Sequence, residues 1–406
     1  MKKRFLSGVV LAALLFAGQE TLFRGIFPLP EIRNFNRVNY SAFTARGQTA
    51  TSFAGARRPA MNATVRWNSR PDGASYDIHL NLYGFRDRDW QLPPTTGRER
   101  VMFVGDSLVE GFMATDGETI PAGYARAAAQ RRKPVEAMNF GVGGAGIDNY
   151  LRLMRDAVPL FRPHRIVVVI YANDLPYSLP NPVPVAIPLA PITEPSFRPR
   201  LLAVLGRVVQ RQVVPRRWYA RAALFVPVVP DPLNPWTDPP QEFAKIDPAI
   251  AEAMRRGDFN PFVVNLLNHA RMALRQPVEP RPALKVMQEI AASAQAELHL
   301  VYLPLSTQVS DYYVRFQQKY AYDSSTESLM GDEYQLHSGS LATACGELGI
   351  PFLDLTPLLR KAETGGEHLY WNFDEHLRGA SYLRVGATIE AWMASPTPIN
   401  DLVTLN

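Results

Sequence analysis

The chain has 406 residues, 47% of them hydrophobic, enough to bury a full-sized core as one large domain with an insertion or as two smaller domains, which excludes general disorder. Its formal net charge of +5 is too small an excess for nucleic-acid binding without a concentrated basic patch, so nucleic acid is not an expected partner. The lone cysteine, Cys345, excludes an internal disulfide, and no Cys/His cluster has zinc-ligand spacing, so neither a metal nor another cofactor is expected.

At the N-terminus Lys2, Lys3 and Arg4 precede an apolar run from Phe5 to Ala17, the layout of a secretory signal or signal anchor over residues 1–18. The expectation is an exported protein, periplasmic or extracellular, with this segment either cleaved or kept as an inner-membrane anchor. Residues 19–97 read as a lead-in of loops and short strands. From residue 98 strand and helix alternate. Val101 to Val104 is an apolar strand, Ala122 to Arg131 a helix, Val135 to Phe140 a strand, Tyr150 to Leu160 a helix, and Ile166 to Tyr171 a strand buried on both faces. That alternation predicts a mainly parallel α/β sheet.

The alternation then stops. Many of the chain's 35 prolines crowd the stretch from Pro176 to Pro240, which predicts a loop-rich insertion over residues 179–276, with helical patterns resuming near Pro248 to Gln276. Arg198, Arg200, Arg207, Arg211, Arg216, Arg217 and Arg221 form its basic patch, and Leu201 to Val214 suits an amphipathic helix. Two readings stand: a surface that meets anionic lipid or acidic polysaccharide, giving membrane association through residues 1–18 and the Arg198 to Arg221 region, or the solvated face of a packed cap helix. Beyond the insertion come a helix at Ala283 to Ala296, a strand at Leu298 to Leu303, a helix around Tyr334 to Leu348, a strand at Pro351 to Leu355 and a final helix after Gly379. Residues 98–178 and 277–394 thus read as one α/β domain, and residues 395–406 as a surface tail.

The chemistry concentrates at strand ends. Val101-Met-Phe-Val-Gly-Asp-Ser107-Leu is an apolar strand that delivers a serine to the edge where ligands meet open α/β sheets. A serine hydroxyl is a poor nucleophile without a base to take its proton and donors to hold the oxyanion. Gly-Asp-Ser alone could be a tight strand-to-helix turn, and Asn139 and Asn173 could be turn residues. The blocks nevertheless occur in order: Asn139-Phe-Gly-Val-Gly-Gly144-Ala-Gly after one strand, Tyr171-Ala-Asn173-Asp174 after the next, and Trp371-Asn-Phe-Asp374-Glu-His376-Leu-Arg-Gly379 before the last helix. This ordered set resembles the SGNH (GDSL-like) serine hydrolase family, and the segment Asn81 to Trp90 resembles the lead-in of its exported bacterial members.

The resemblance implies Ser107 as nucleophile and His376 as general base. It implies an oxyanion hole of the Ser107 amide, the Gly144 amide and the Asn173 side chain, with Gly143 as rival to Gly144. Asp374 would orient His376, although the family usually leaves two residues between acid and histidine and one stands here; Glu375 and Asp354 are the local alternatives. Among the other histidines, His164, His269, His337 and His368, the last is the nearest rival base. Arg86 reads as structural, pairing with a carboxylate or capping a helix. The fold implied is a three-layer α/β/α sandwich, flavodoxin-like, with about five strands and the Pro-rich insertion as a lid or side wall. The expected activity is a serine esterase working through an acyl-enzyme on an acylated glycan, such as an O-acetylated polysaccharide, or on a lipid ester of the cell envelope. The alternatives are an O-acyltransferase using the same site and a non-catalytic glycan-binding protein that keeps the fold.

Overall fold

Burial on both faces makes the sheet. In the computed structural model the apolar runs become β4 (Glu99–Gly105), β5 (Val135–Gly141), β6 (Arg165–Tyr171), β7 (Glu297–Leu303) and β8 (Phe352–Asp354). They form a single five-stranded sheet in the order β5-β4-β6-β7-β8, with every neighbour parallel. Counted from β4, the strand order is 2-1-3-4-5, the doubly wound flavodoxin-like arrangement, with its switch point between β4 and β6. The structure describes residues 2–26, 32–33, 64–69, 74–79, 81, 83, 85–91, 94, 97–143, 145–172, 174–175, 246–250, 273–319, 329–395 and 399–405.

The side-chain period of two divides each strand between two cores. Met102, Val104, Ile166, Val168, Ile170, Leu300 and Tyr302 face one core, which is closed by α4 (Ile147–Phe161), α5 (Arg281–Ser293) and α8 (Leu336–Leu348). Val101, Phe103, Val167, Val169, Val301 and Leu303 face the other, closed by α3 (Ile120–Gln130), α9 (Thr356–Thr364) and α10 (Gly379–Ala394). The sandwich therefore has the expected three layers. Short helices α2 (Ser107–Glu110), α6 (Ser306–Val309) and α7 (Val314–Gln317) stand at the carboxyl edge of the sheet.

Several boundaries move. The expected helix at Tyr150 to Leu160 begins three residues earlier, where Gly146 starts α4, and Pro159 is carried within its last turn. The helix α9 was not anticipated; its leader Asp354 accepts a hydrogen bond from the Thr356 amide at 2.8 Å and starts it. The tail lies on the domain: Leu402 is buried in the second core and the Val403 amide donates to Thr388 Oγ1 at 2.9 Å. Cys345 packs inside α8, where burial pushes its thiol up to about 12.

The lead-in carries β1 (Ile32–Arg33), β2 (Thr64–Ser69) and β3 (Ala74–His79), a separate three-stranded sheet with β2 and β3 antiparallel. Its last part enters the first core through Phe85 and Trp90. The N-terminal run forms the helix α1 (Lys2–Ile26), which exposes Val9, Val10, Leu11, Leu14 and Leu15. Among the described residues no helix is long and apolar enough to cross a membrane. The Arg198 to Arg221 patch and the Leu201 to Val214 helix lie outside the described residues.

Candidate active site

Strand β4 ends in Gly105, and Asp106 turns the chain into α2 by accepting the Leu108 amide on its carboxylate at 2.8 Å. Ser107 is thereby the first residue of a helix at the switch-point edge. Its amide has no acceptor among the described residues, and its hydroxyl lies 2.8 Å from His376 Nε2. The separation of 3.5 Å from Asp106 Oδ2 is too long to compete.

His376 stands on a loop between α9 and α10 that is closed on itself. Tyr370 and Leu377 form an antiparallel bridge, the Trp371 amide donates to the His376 carbonyl at 3.0 Å, and Arg378 Nε donates to the Tyr370 carbonyl at 2.9 Å. Asp374 Oδ1 accepts the His376 amide at 3.1 Å and also the His376 Nδ1–H, a very short contact. The one-residue gap thus works locally. A carboxylate that folds over onto the amide two residues on sets its oxygen beside that residue's Nδ1. With Nδ1–H facing Asp374, Nε2 is the acceptor for the Ser107 hydroxyl.

The two rival acids are committed elsewhere. Asp354 accepts the Thr356 amide at the start of α9, and Glu375 accepts the Ser306 amide at 2.9 Å and Gln317 Nε2 at 2.7 Å. Sequence reading missed this use of Glu375, since its partners lie more than fifty residues away in the chain. The rival base His368 is stacked on Tyr312 at 3.7 Å and lies 3.6 Å from Glu363. His337 sits with both ring nitrogens 3.1 Å from backbone carbonyls, those of Ala172 and Gln276.

Burial by itself lowers the pKa of His376, but the charge and hydrogen bond of Asp374, with the charges of Asp106 and Glu375, outweigh it and leave a net upward shift. Burial pushes Asp106 up to about 6, against the Leu108 amide and the charge of His376. Asp174 is raised well above the usual carboxylate range, by burial first and then by Asp106. Its Oδ2 accepts the Tyr171 amide and the Tyr150 hydroxyl at 2.6 and 2.8 Å.

One wall of the site is the loop after β5. The amides of Gly141, Val142, Gly143, Ala145, Gly146 and Ile147 donate respectively to Asn139 Oδ1, the Gly105 carbonyl, Glu110 Oε2, the Val142 carbonyl, Asn149 Oδ1 and the Asp174 carbonyl. Gly143 is therefore spent on Glu110. Gly144 and Asn173 lie outside the described residues. The other wall carries Phe112, whose ring packs 4.7 Å from that of His376. Arg86 holds the loop bearing Phe112, donating to the Gly111 and Ala114 carbonyls and pairing with Asp116 at 3.3 Å, so it does both things expected of it. Neither Phe112 nor Glu110 was anticipated, though the i, i+3 spacing of Ser107 and Glu110 on one helix was a usable signal.

The His376 ring faces Ser107. Among the described residues no group of His, Cys, Asp or Glu side chains is arranged to hold a metal ion.

The family described as GDSL-like Lipase/Acylhydrolase matches residues 103–337, more than half of the chain. No curated protein matches. Among solved structures the chain is similar to a carbohydrate esterase family 2 enzyme with a carbohydrate binding domain from Corynascus thermopiles (Myceliophthora fergusii). That pair shares 12% identity with a TM-score of 0.33, covering 74% of this chain and 68% of that one. A second crystal structure is similar at 13% identity with a TM-score of 0.34, covering 73% of this chain and 96% of the other. With Gly-Asp-Ser at the switch point of a doubly wound sheet and the family match across it, the chain belongs to the GDSL-like lipase/acylhydrolase family and is a hydrolase acting on ester bonds.

Proposed function

We propose that this hydrolase is a serine esterase that works through a covalent acyl-enzyme, with Ser107 as nucleophile, His376 as base and Asp374 as the acid that orients it. The observation that carries the reading is the unbroken row from Ser107 Oγ through His376 Nε2, at 2.8 Å, to Asp374 on the far ring nitrogen. Ser107 Oγ attacks the ester carbonyl while its proton passes to His376 Nε2. The tetrahedral oxyanion takes the Ser107 amide as one donor. The family resemblance supplies the other two donors, the Gly144 amide and the Asn173 side chain, and the Gly143 amide, the rival, already donates to Glu110. Collapse breaks the ester C–O bond, and His376 returns the proton to the leaving alcohol. Water, deprotonated by His376, then releases the carboxylic acid and restores Ser107.

For the substrate, the reading is an acyl ester of the cell envelope, an O-acetylated polysaccharide ahead of a lipid, reached by export. Its support is the Lys2-Lys3-Arg4 cluster that opens a helix with an exposed apolar surface. A sugar hydroxyl in place of water would turn the same steps into acyl transfer.

The test is labelling with a fluorophosphonate serine probe, read by intact mass and peptide mapping on wild type, Ser107→Ala and His376→Ala. One adduct on Ser107, abolished by the first substitution and slowed at least 100-fold by the second, is expected. A folded wild-type protein that takes no label would overturn the reading. Free acid against acylated acceptor, quantified with an acetyl ester and added saccharide, separates hydrolysis from transfer.

A further inference from the structure

Glu110 is a buried carboxylate that none of the steps above uses. It is 1% exposed, and it ends the short helix that Ser107 begins, so both side chains leave the same side of that helix. Its position is fixed by close backbone packing. A Cβ on Gly141 would lie 2.0 Å from the Glu110 amide nitrogen, and one on Gly105 would lie 2.3 Å from Val109 Cγ2, so both strand ends press directly on the helix. From there Glu110 Oε2 accepts the Gly143 amide at 2.8 Å. Gly143 sits between the carboxylate and the nucleophile: a Cβ placed on it would lie 2.9 Å from Glu110 Oε2 and 3.9 Å from Ser107 Cβ.

We propose that Glu110 is the positioning residue of the oxyanion loop, committing the Gly143 amide away from the reacting carbonyl and thereby fixing which amide of the Gly143-Gly144 pair is presented to it. This rests on the serine-esterase reading and deepens it. The chemistry favours a carboxylate for the task. A charge-assisted acceptor holds a backbone N–H more tightly than a neutral one, and Gly143, without a side chain, has few other restraints on its peptide planes. Were the Gly143 amide released, the loop could rotate and offer either of two adjacent amides, and an oxyanion donor displaced by about 1 Å forfeits much of its effect on the transition state.

The experiment compares wild type, Glu110→Ala and Glu110→Gln as full-length proteins in hydrolysis of p-nitrophenyl acetate, with the Gly143 amide followed by NMR on glycine-¹⁵N-labelled protein. Glu110→Ala is expected to lower kcat by about 10- to 100-fold with KM within about threefold, because the loss falls on the transition state. The pH midpoint of kcat/KM stays in place, since the His376 and Asp374 pair is untouched. Glu110→Gln, whose amide oxygen can still accept the Gly143 N–H, is expected to recover most of the rate, and the Gly143 proton to shift upfield in the alanine variant far more than in the glutamine one. A folded Glu110→Ala with kcat within about twofold of wild type overturns the proposal, and so does a Glu110→Gln as impaired as the alanine variant. Should Glu110→Ala fail to fold, Gly143→Ala tests the same contact by pushing the loop off the carboxylate; it should lower kcat at least 10-fold, and an unchanged rate overturns the proposal. A wild type without Ser107 labelling ends the esterase reading itself, whereas a labelled wild type with an unimpaired Glu110→Ala ends this inference alone.

Discussion

His376 is held between opposing influences, and their balance sets the pH at which the enzyme works. Burial favours the neutral ring, yet Asp374 and the further carboxylates Asp106 and Glu375 prevail and raise its pKa above the ordinary histidine value of about 6.5. Attack by Ser107 needs the neutral ring. The expected profile of kcat/KM therefore rises with pH through a midpoint above that value, and Asp374→Asn, which removes the charge and leaves the burial, should move the midpoint down and lower kcat by roughly 10³- to 10⁴-fold. A midpoint unmoved in the Asn variant would transfer the orienting role to another group. Glu375 makes a different contribution. It ties the histidine loop to Ser306 and Gln317, and Glu375→Ala takes the acceptor from the buried Ser306 amide and leaves Gln317 Nε2 with Ser306 Oγ in place of the carboxylate. The expected cost is about 2–4 kcal/mol in urea unfolding, and a cost under about 1 kcal/mol would show that the loop holds without it.

At the scale of elements, the closest contact in the second layer is that between α3 and α10, and two glycines permit it. A Cβ on Gly386 would lie 2.0 Å from the Ile120 carbonyl, and one on Gly123 would lie 2.2 Å from the Leu383 carbonyl. Neither obstacle is a movable side chain. Gly386→Ala should cost about 1–3 kcal/mol, whereas Gly339→Ala, on an open face of α8 with nothing near, should gain about 0.5–1 kcal/mol. Thermal unfolding of the two variants checks both signs. The same contrast explains what was legible in the sequence. Strands buried on both faces read as continuous apolar runs, so Val101 to Val104 and Ile166 to Tyr171 stood out, and Ser107 was located by the strand that precedes it and Asn139 by the strand that holds it. The α9 helix was not legible, because its start depends on the carboxylate of Asp354 and its apolar side on the second core. Nor was Glu375, whose meaning depends on an amide and a carboxamide delivered from other helices, while Glu110 showed only its spacing from Ser107 and not the loop amide that it accepts.

Across the whole molecule, Asp87 joins the lead-in to the sheet. Its Oδ2 accepts Trp90 Nε1 and the Asn139 amide at 2.8 and 2.9 Å, and burial pushes it up to about 6 against those hydrogen bonds. A carboxyl group whose folded pKa exceeds its unfolded value of about 3.9 favours the folded state when protonated. That stability is present below the unfolded value and is lost as pH rises through the folded one. Wild type should therefore lose stability relative to Asp87→Asn between pH 4 and pH 7, measured as the difference in urea midpoints; a constant difference would mean that Asp87 titrates alike in both states. The row of catalytic groups has a consequence in time. Ser107 and His376 are 269 residues apart, and the histidine loop is seated between α9 and α10, the last two helices. During synthesis a ribosome has already released the serine strand while the base is still unmade. The nucleophile stays an ordinary alcohol until nearly all of the domain has emerged and docked, so the nascent chain cannot acylate itself or its neighbours, and onset of probe labelling would serve as a clock for the final folding step.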